Sequence, residues 1–186
     1  MNDRTSQSQR NHLCSLGTPL DTAAIREAAR NLNDGAVTSG YAGRRKEIVA
    51  LLNTALATEL LCVLRYKRHY HTAAGLMNTA IKAEFLEHAQ EEQAHADEIA
   101  ERIVQLNGEP DFDPSTLAQR SHAEYDDSMD IREMIRANLV AERVAIESYR
   151  QMIEKIGDVD PTTTLMLTRI LAKEEEHADE MRDLLE

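Results

Sequence analysis

The sequence contains no tryptophan, and tyrosine and phenylalanine together supply only 4% of its 186 residues. Only four prolines and seven glycines interrupt the chain. Leucine, alanine, glutamate and arginine, which favour helices, are abundant instead. The shortage of aromatic residues and chain breakers therefore predicts an all-α protein.

Cysteine is also scarce, because Cys14 and Cys62 are the two present and they form no Cys-x-x-Cys pair. This excludes a disulfide scaffold and a zinc ribbon, and it is typical of a reducing compartment. Residues 1–20 contain no apolar run long enough for a signal peptide, and no segment approaches a membrane span. We therefore expect a cytoplasmic protein with no membrane partner.

Positive charge is in short supply, since the formal net charge is −12. An acidic body repels nucleic acid and attracts cations. Residues 1–46 differ, with seven basic and four acidic residues, which gives +3 and leaves −15 for residues 47–186. A tail that binds DNA usually has a higher proportion of lysine and arginine. We interpret the segment as a loosely attached arm and do not expect DNA as a partner.

The helical pattern is concentrated after residue 43. Residues 1–43 are predicted to be an N-terminal extension, polar and disordered over 1–19, with a short helix from Asp21 or Thr22 to about Leu32 and a glycine-containing linker. Residues 44–186 are predicted to form one domain with four long helices. The first three cover residues 44–73, 76–106 and 128 or 129 to 156. The fourth begins after Asp160 as N-cap, with Pro161 at its first position, and continues almost to residue 186.

The loops between these helices predict the topology. Tight turns around Gly75 and at residues 157–160 make each pair of flanking helices antiparallel neighbours. Residues 108–127, with Pro110 and Pro114, form a connection long enough to run from one end of a bundle to the other. The expected fold is a four-helix bundle of two hairpins joined by a long crossover.

Each predicted long helix has an apolar stripe at spacings of three and four residues, and a glutamate interrupts it near the middle. A buried carboxylate without a partner costs several kcal/mol. No lysine or arginine lies on these stripes nearby, and two divalent cations would balance four carboxylates. The stripes therefore predict a dinuclear metal site. Its four carboxylates would come from Glu59, Glu92, Glu142 and Glu174. Two imidazoles would come from His95 and His177, which follow Glu92 and Glu174 by three residues.

The two hairpins repeat one layout. Glu59 and Glu92 are 33 residues apart, and Glu142 and Glu174 are 32 apart, with the second glutamate of each pair beginning a Glu-x-x-His. One such motif is weak evidence in a glutamate-rich chain, but two at matching spacing are specific. A pseudo-twofold would give each metal one terminal glutamate, one histidine and two bridging glutamates. Nearby residues are interpreted as structural or solvated: Cys62, His69, His88, Glu91, Glu175 and Glu176.

The segments ATELLCVLRY, EEQAHADEIAERI, NLVAERVAIESY and LAKEEEHADEM carry these residues. Over residues 46–186 the chain resembles the ferritin-like superfamily, in particular its bacterioferritin branch, whose di-iron pattern has the same layout. The resemblance implies that Glu59 and His95 are terminal ligands of one iron, Glu142 and His177 of the other, and that Glu92 and Glu174 bridge. It also implies that Tyr66 lies beside the site, where it could bond a ligand or supply an electron.

The resemblance further implies a ferroxidase in an iron-storage or detoxification protein, which oxidises Fe²⁺ with O₂ or H₂O₂ inside a hollow shell. Two iron ions per subunit are expected, and carboxylate and imidazole ligands also suit manganese. Gln93 stands where the family has its haem-binding methionine, so we do not expect haem. The chain ends nine residues after His177, which leaves no room for the family's fifth helix. In this respect it resembles the smaller shells of the Dps and Dps-like group, which lack that helix, and a shell of 12 subunits is favoured over 24.

Two other functions are compatible with the same sequence. A di-iron or di-manganese enzyme, such as a rubrerythrin-like peroxidase, an oxygenase or a catalase, would use the same ligands. The rubredoxin Cys-x-x-Cys pairs of a typical rubrerythrin are absent. A DNA-protecting protein is the other alternative, and only the basic arm favours it.

Overall fold

The computed structural model describes residues 19–41, 43–75 and 78–186, and within them it contains helices and no strand. The prediction of an all-α protein is confirmed. A 3₁₀ turn, Gly157–Val159, separates the last two helices. The helices are α1 (Thr22–Ala28), α2 (Arg45–Thr72), α3 (Thr79–Gln105), α4 (Leu117–Arg120), α5 (Ile131–Ile156) and α6 (Pro161–Asp183).

The four long helices pack as two hairpins, α2 with α3 and α5 with α6, and α2 also packs on α5 and α3 on α6. The four-helix bundle is thus confirmed. The crossover between the hairpins follows α2 along its length. Asn53 bonds the backbone at residues 109 and 111, and Arg68 bonds the carbonyl oxygens of Asp127 and Ser128. The crossover therefore starts α5 at the opposite bundle end from the end of α3.

The helix boundaries differ from the predicted ones where a cap decides them. Helix α5 begins after Asp130, later than predicted, because the Asp130 carboxylate accepts from the backbone nitrogens of Arg132 and Glu133. It ends at Ile156, as predicted, and its C-cap is Gly157, which has a positive φ of 51°, a conformation that glycine adopts readily. Helix α1 ends at Ala28, short of the predicted Leu32. The predicted start of the second long helix, at residue 76, lies outside the described residues.

The chain divides into two compact units, residues 1–40 and 41–186. In the first, α1 has no buried residue, and its N-cap is Asp21. Residues 1–18 lie outside the described residues. They include Cys14 and all but the last residue of the stretch predicted to be disordered. The extent of the predicted extension, residues 1–43, stays a prediction.

Helix α2 corrects one sequence-based expectation, because it is long and apolar enough to cross a membrane by length and composition. More than half of its most apolar stretch is nevertheless buried inside the bundle. Its buried face includes Glu59 and Arg65. The core helix of a soluble protein passes the same test, so this feature is weak evidence for a membrane span.

A buried ion pair between Arg102 and Asp160 stabilises the connection between α5 and α6. Asp160 is 2% exposed, and both of its carboxylate oxygens accept from Arg102 on α3, at 2.8 and 3.0 Å. The same carboxylate caps α6 by accepting from the Thr163 backbone nitrogen at 3.0 Å, and it accepts from the Tyr41 hydroxyl at 2.9 Å. Helix α3, helix α6 and the segment before α2 therefore meet at one carboxylate.

We expect Asp160→Ala to lower the free energy of unfolding by roughly 3–5 kcal/mol, because it leaves the Arg102 guanidinium buried without its anion. The matched control is Asp130→Ala, which removes the exposed N-cap of α5 and should cost about 1 kcal/mol. Urea denaturation at one fixed protein concentration measures both. Equal losses in the two variants would show that the buried pair adds nothing beyond capping.

Candidate metal centre

The six residues predicted as metal ligands lie at mid-helix on the four long helices and face one another. Glu59 is on α2, Glu142 is on α5, and the two Glu-x-x-His motifs are on α3 and α6. The spacing of three places glutamate and histidine on the same side of a helix. Each of the four glutamates is 1% exposed or less.

Two four-residue groups of potential ligand atoms form, and they share two glutamates. A three-residue group of His88, Glu142 and His177 overlaps the second of them. In each group the potential ligand atoms lie within 4.8 Å of one another. Glu92 and Glu174 belong to both four-residue groups, which places them between two candidate metal positions. The first group is Glu59, Glu92, His95 and Glu174, and the second is Glu92, Glu142, Glu174 and His177.

The histidine nitrogens point into these groups. His95 Nδ1 lies 3.0 Å from Glu174 Oε1 and 3.4 Å from an oxygen of each of Glu59 and Glu92. His177 Nδ1 lies 3.5 Å from Glu92 Oε1 and 3.6 Å from Glu174 Oε2. Each imidazole therefore presents one nitrogen to the two shared carboxylates, which are common ligands of divalent transition metals.

The same atoms have no hydrogen-bond partners. Nine buried side-chain oxygen and nitrogen atoms without a partner occur among the described residues, and eight belong to the six predicted ligands. The ninth is Asn138 Nδ2. A buried polar group without a partner is costly. Because six carboxylate oxygens and two imidazole nitrogens share this property at one place, the donor set fits a pair of divalent cations.

The electrostatics of the metal-free cluster indicate protons shared among crowded carboxylates. Burial and the neighbouring Glu92 carboxylate raise the pKa of Glu59 to about 8. Burial and the charges of Glu92 and Glu174 raise the pKa of Glu142 well above its usual range. Burial alone would lower the pKa of His177, but Glu174 and Glu92 raise it to about 12. A metal ion must displace such protons to bind, so binding should release protons.

Two buried tyrosines hold the terminal glutamates across the bundle. The Tyr66 hydroxyl of α2 donates to Glu142 of α5, and the Tyr149 hydroxyl of α5 donates to Glu59 of α2. Tyr66 was predicted beside the site, but Tyr149 was not. The signal was available, because Tyr149 follows Glu142 by seven residues as Tyr66 follows Glu59.

The outer nitrogens of the two histidines differ. His177 Nε2 lies 2.7 Å from Glu91 Oε2, and Lys173 Nζ lies 3.1 Å from the other oxygen of Glu91. The interpretation of Glu91 as merely solvated is therefore wrong, since it orients His177. Within the described part of the chain, His95 Nε2 has no such carboxylate, and Lys173 occupies the position before Glu174 that Glu91 occupies before Glu92. The pseudo-twofold is broken at this point.

A buried cation also lies nearby, which the sequence did not suggest. Arg65 is fully buried. Its guanidinium donates to Asn138 Oδ1 at 2.9 Å, to the Glu124 carbonyl oxygen and to Cys62 Sγ. None of these bonds reaches a glutamate of the centre. The four carboxylates therefore have a positive charge in their vicinity but, within the described residues, no lysine or arginine as a direct partner.

Other residues interpreted from the sequence are placed as follows. Cys62 is buried, and so are His69 and His88. His69 Nδ1 contacts Asn138 Oδ1 at 3.2 Å, while His88 contacts the Tyr66 hydroxyl and stacks on the His177 ring. Glu175 and Glu176 are exposed. The Gln93 amide donates to Asp97, one helical turn further along α3.

Residues 49–186 match the family model of the ferritin-like domain. Similar curated proteins include the bacterioferritin of Mycobacterium tuberculosis, 28% identical over 75% of this chain and 84% of that protein. A nutrient stress-induced DNA-binding protein of Nostoc is 31% identical over 68% of this chain and 71% of that one.

Among solved structures, a dodecameric thioferritin of Bacteroides fragilis, described as bacterioferritin-related, superposes with a TM-score of 0.74. It is 34% identical and covers 77% of this chain and 87% of its own. The residues matched by the family model include the whole candidate centre. The chain thus belongs to the ferritin-like family, among its bacterioferritin-like and Dps-like members.

Proposed function

We propose that this protein is a ferroxidase of an iron-storage or iron-detoxification system, which oxidises Fe²⁺ at the candidate centre with O₂ or H₂O₂. The observation that carries the proposal is the set of two four-residue groups sharing Glu92 and Glu174, with eight partnerless ligand atoms. Iron is the substrate here. Manganese, which accepts the same ligands, is the alternative metal.

Each side chain has a role that follows from its position. Glu59 and His95 hold one Fe²⁺, Glu142 and His177 hold the other, and Glu92 and Glu174 bridge them. Four carboxylates balance the charge of two ferrous ions. Two ferric ions carry two more positive charges, so the oxidised pair needs further anions. With H₂O₂ the electrons balance, since two Fe²⁺ give two electrons and the peroxide yields two hydroxide ions that supply the missing charge.

The tyrosines position the terminal ligands and exclude water from them. Tyr66 and Tyr149 are each 2% exposed or less, and each bonds the terminal glutamate of the other hairpin. Mutual support across the bundle keeps both carboxylates at mid-helix, as outer partners of metal ligands do. Tyr66 is also our candidate for supplying an electron, because its hydroxyl contacts both Glu142 and His88.

The surroundings of the centre favour small reactants. Five surface cavities of about 220 to 600 Å³ occur around the bundle, and none of these five is lined by one of the six ligands. A substrate oxygenase would need such a pocket beside its metals. Metal ions and O₂ or H₂O₂ need much less room, so ferroxidase chemistry is favoured over an oxygenase on the same ligands.

We further propose a cytoplasmic homo-oligomeric shell, with 12 subunits favoured over 24 and no DNA partner. A related structure is described as dodecameric. The DNA-binding relative favours the alternative partner, but the net charge of −12 opposes attraction to DNA phosphates. A peroxidase, catalase or oxygenase on the same bundle would have no need of a shell.

Anaerobic titration with Fe²⁺, followed by admission of air, should show saturation at two iron ions per chain and rapid oxidation. Glu92→Gln should abolish both, because it removes a bridging charge of both metal positions while keeping the side-chain volume. Bound iron is counted after gel filtration, and oxidation is followed by near-ultraviolet absorbance. Glu101→Gln, an exposed change on the same helix, is the control. Equal binding by wild type and Glu92→Gln would refute the centre.

The metal-free protein should lose stability as the pH rises from about 5 to 8. The pKa of Glu59 is raised from 4.5 to about 8 by burial and by Glu92, so the folded state keeps a proton that the unfolded chain releases. That stabilisation is complete below pH 4.5 and is lost as the pH passes the folded value, with a slope of up to ~1.4 kcal/mol per pH unit.

Unfolding midpoints in the presence of a chelator, measured at several pH values, test this expectation. Glu59→Gln should give a flatter profile, because its amide has no proton to lose. The raised pKa of His177 has the same sign, so some decline should remain at the alkaline end. Superimposable profiles for wild type and variant would contradict the assigned origin of the effect.

Light scattering coupled to gel filtration should give a particle of shell size, close to 12 chains, whose elution does not change when duplex DNA is added at low salt. A monomer or dimer would instead favour the non-storage enzyme. Co-elution with DNA that is lost on deleting residues 1–30 would revive the DNA-protecting alternative.

A further inference from the structure

A further group of potential metal ligands, which contains none of the six predicted ligands, lies beside the centre on α3 and α6. It consists of Glu84, His88 and Glu180, whose ligand atoms lie within 4.8 Å of one another. The His88 side chain is 1% exposed, while the side chains of Glu84 and Glu180 are 31% and 41% exposed. One buried imidazole therefore points outward to two carboxylates that solvent can reach.

The hydrogen bonds inside the bundle determine which nitrogen of His88 carries its proton. A glutamate that binds a metal ion is ionised and can only accept hydrogen bonds. Tyr66 must then donate its hydroxyl proton to Glu142. The phenol oxygen is left to accept from His88 Nδ1, which lies 3.0 Å away. With the centre filled, the His88 proton is therefore on Nδ1.

The other nitrogen of His88 is consequently a bare acceptor. A neutral imidazole has one N–H, so Nε2 presents a lone pair. That lone pair faces Glu180 Oε2 at 2.9 Å and Glu84 Oε1 at 3.6 Å. Three electron-pair donors thus converge with no hydrogen between them. Only a proton or a metal cation can turn this contact into an attraction.

A cation fits the position better than a proton. Protonation would place a His88 imidazolium in the core. Its ring stacks on the ring of His177, with 4.0 Å between the two centroids, and His177 is itself a proposed ligand of a metal ion. A divalent cation would lie outward of Nε2, where two carboxylates balance its charge. Within the described ranges, neither Glu84 nor Glu180 has a lysine or arginine partner, so both charges are available.

We propose that Glu84, His88 and Glu180 form a third site, which binds one divalent transition-metal ion through an imidazole nitrogen and two carboxylates. The inference rests on the proposed function, because ionised Glu142 is required to place the His88 proton. The ligand set suits Fe²⁺, Mn²⁺ or Zn²⁺. The site becomes complete only when the centre is filled, so loading is ordered, with two ions first and a third after them.

The chain Glu142–Tyr66–His88 couples the sites in both directions. An ion on Nε2 draws electron density from the imidazole and strengthens its Nδ1 hydrogen bond to Tyr66, which in turn donates more strongly to Glu142. Coupling between binding sites is reciprocal. The third ion should therefore tighten binding at the position held by Glu142 and His177.

Anaerobic titration with Co²⁺ in a calorimeter tests the site, since it reads stoichiometry without any oxidation. Wild type and the control Glu101→Gln should bind three ions per chain, the third after the first two. The double variant Glu84→Gln/Glu180→Gln should bind two. Tyr66→Phe removes the link between Glu142 and His88, so it should weaken the third ion by roughly 10–100-fold, as loss of an outer partner of a ligating histidine does. Glu92→Gln should bind none.

The outcomes separate the third site from the centre. Two ions in wild type, or three in the double variant, would overturn the third site and leave the ferroxidase centre standing. One ion retained by Glu92→Gln would overturn ordered loading. No ion in wild type would overturn both proposals. Because both substituted glutamates are partly exposed and have no lysine or arginine partner among the described residues, the double variant should fold, and unchanged circular dichroism checks that it does.

Discussion

Burial of four carboxylates at one level of a helical bundle is the constraint on which the rest of this structure depends. Each is 1% exposed or less, and most of their oxygens have no hydrogen-bond partner. Such an arrangement is unfavourable in a metal-free protein. Two tyrosines donate hydrogen bonds to these carboxylates, and two histidines face them. These contacts fix the positions of the carboxylates and leave oxygens available to bind cations.

Other parts of the bundle stabilise the fold against the cost of burying these carboxylates. Apolar layers above and below the centre include fully buried residues such as Leu52, Phe85, Ile99 and Leu167. The Arg102–Asp160 pair lies towards the bundle end where α6 begins, where a buried charge is fully paired. The contrast is informative, because the same fold satisfies one buried carboxylate with donors from three residues and leaves four others without a lysine or arginine partner. The proposed metal centre would account for the difference.

The sequence predicted the bundle and the six facing residues well because periodicity and repetition are local signals. The caps at Asp160 and Gly157 mark helix ends, and the repeated spacing places the glutamates at one level. It did not predict Arg65, Tyr149 or the role of Glu91. Arg65 becomes buried only because the crossover and Asn138 cover α2, and such long-range cover leaves no pattern in a single segment. Tyr149 did leave one, since it repeats the spacing of Tyr66.

Departures from the pseudo-twofold distinguish the two halves of the centre. His177 is fully buried and held by Glu91 at 2.7 Å, whereas the His95 side chain is 12% exposed and Lys173 takes the corresponding position. His88 adds to the asymmetry, because it touches Tyr66 and stacks on His177 on one side only. A repeated sequence thus makes two similar candidate metal positions with different surroundings. The Glu142–His177 position is connected through Tyr66 and His88 to the carboxylates of Glu84 and Glu180. At the Glu59–His95 position, the outer nitrogen of the histidine has no carboxylate partner within the described residues.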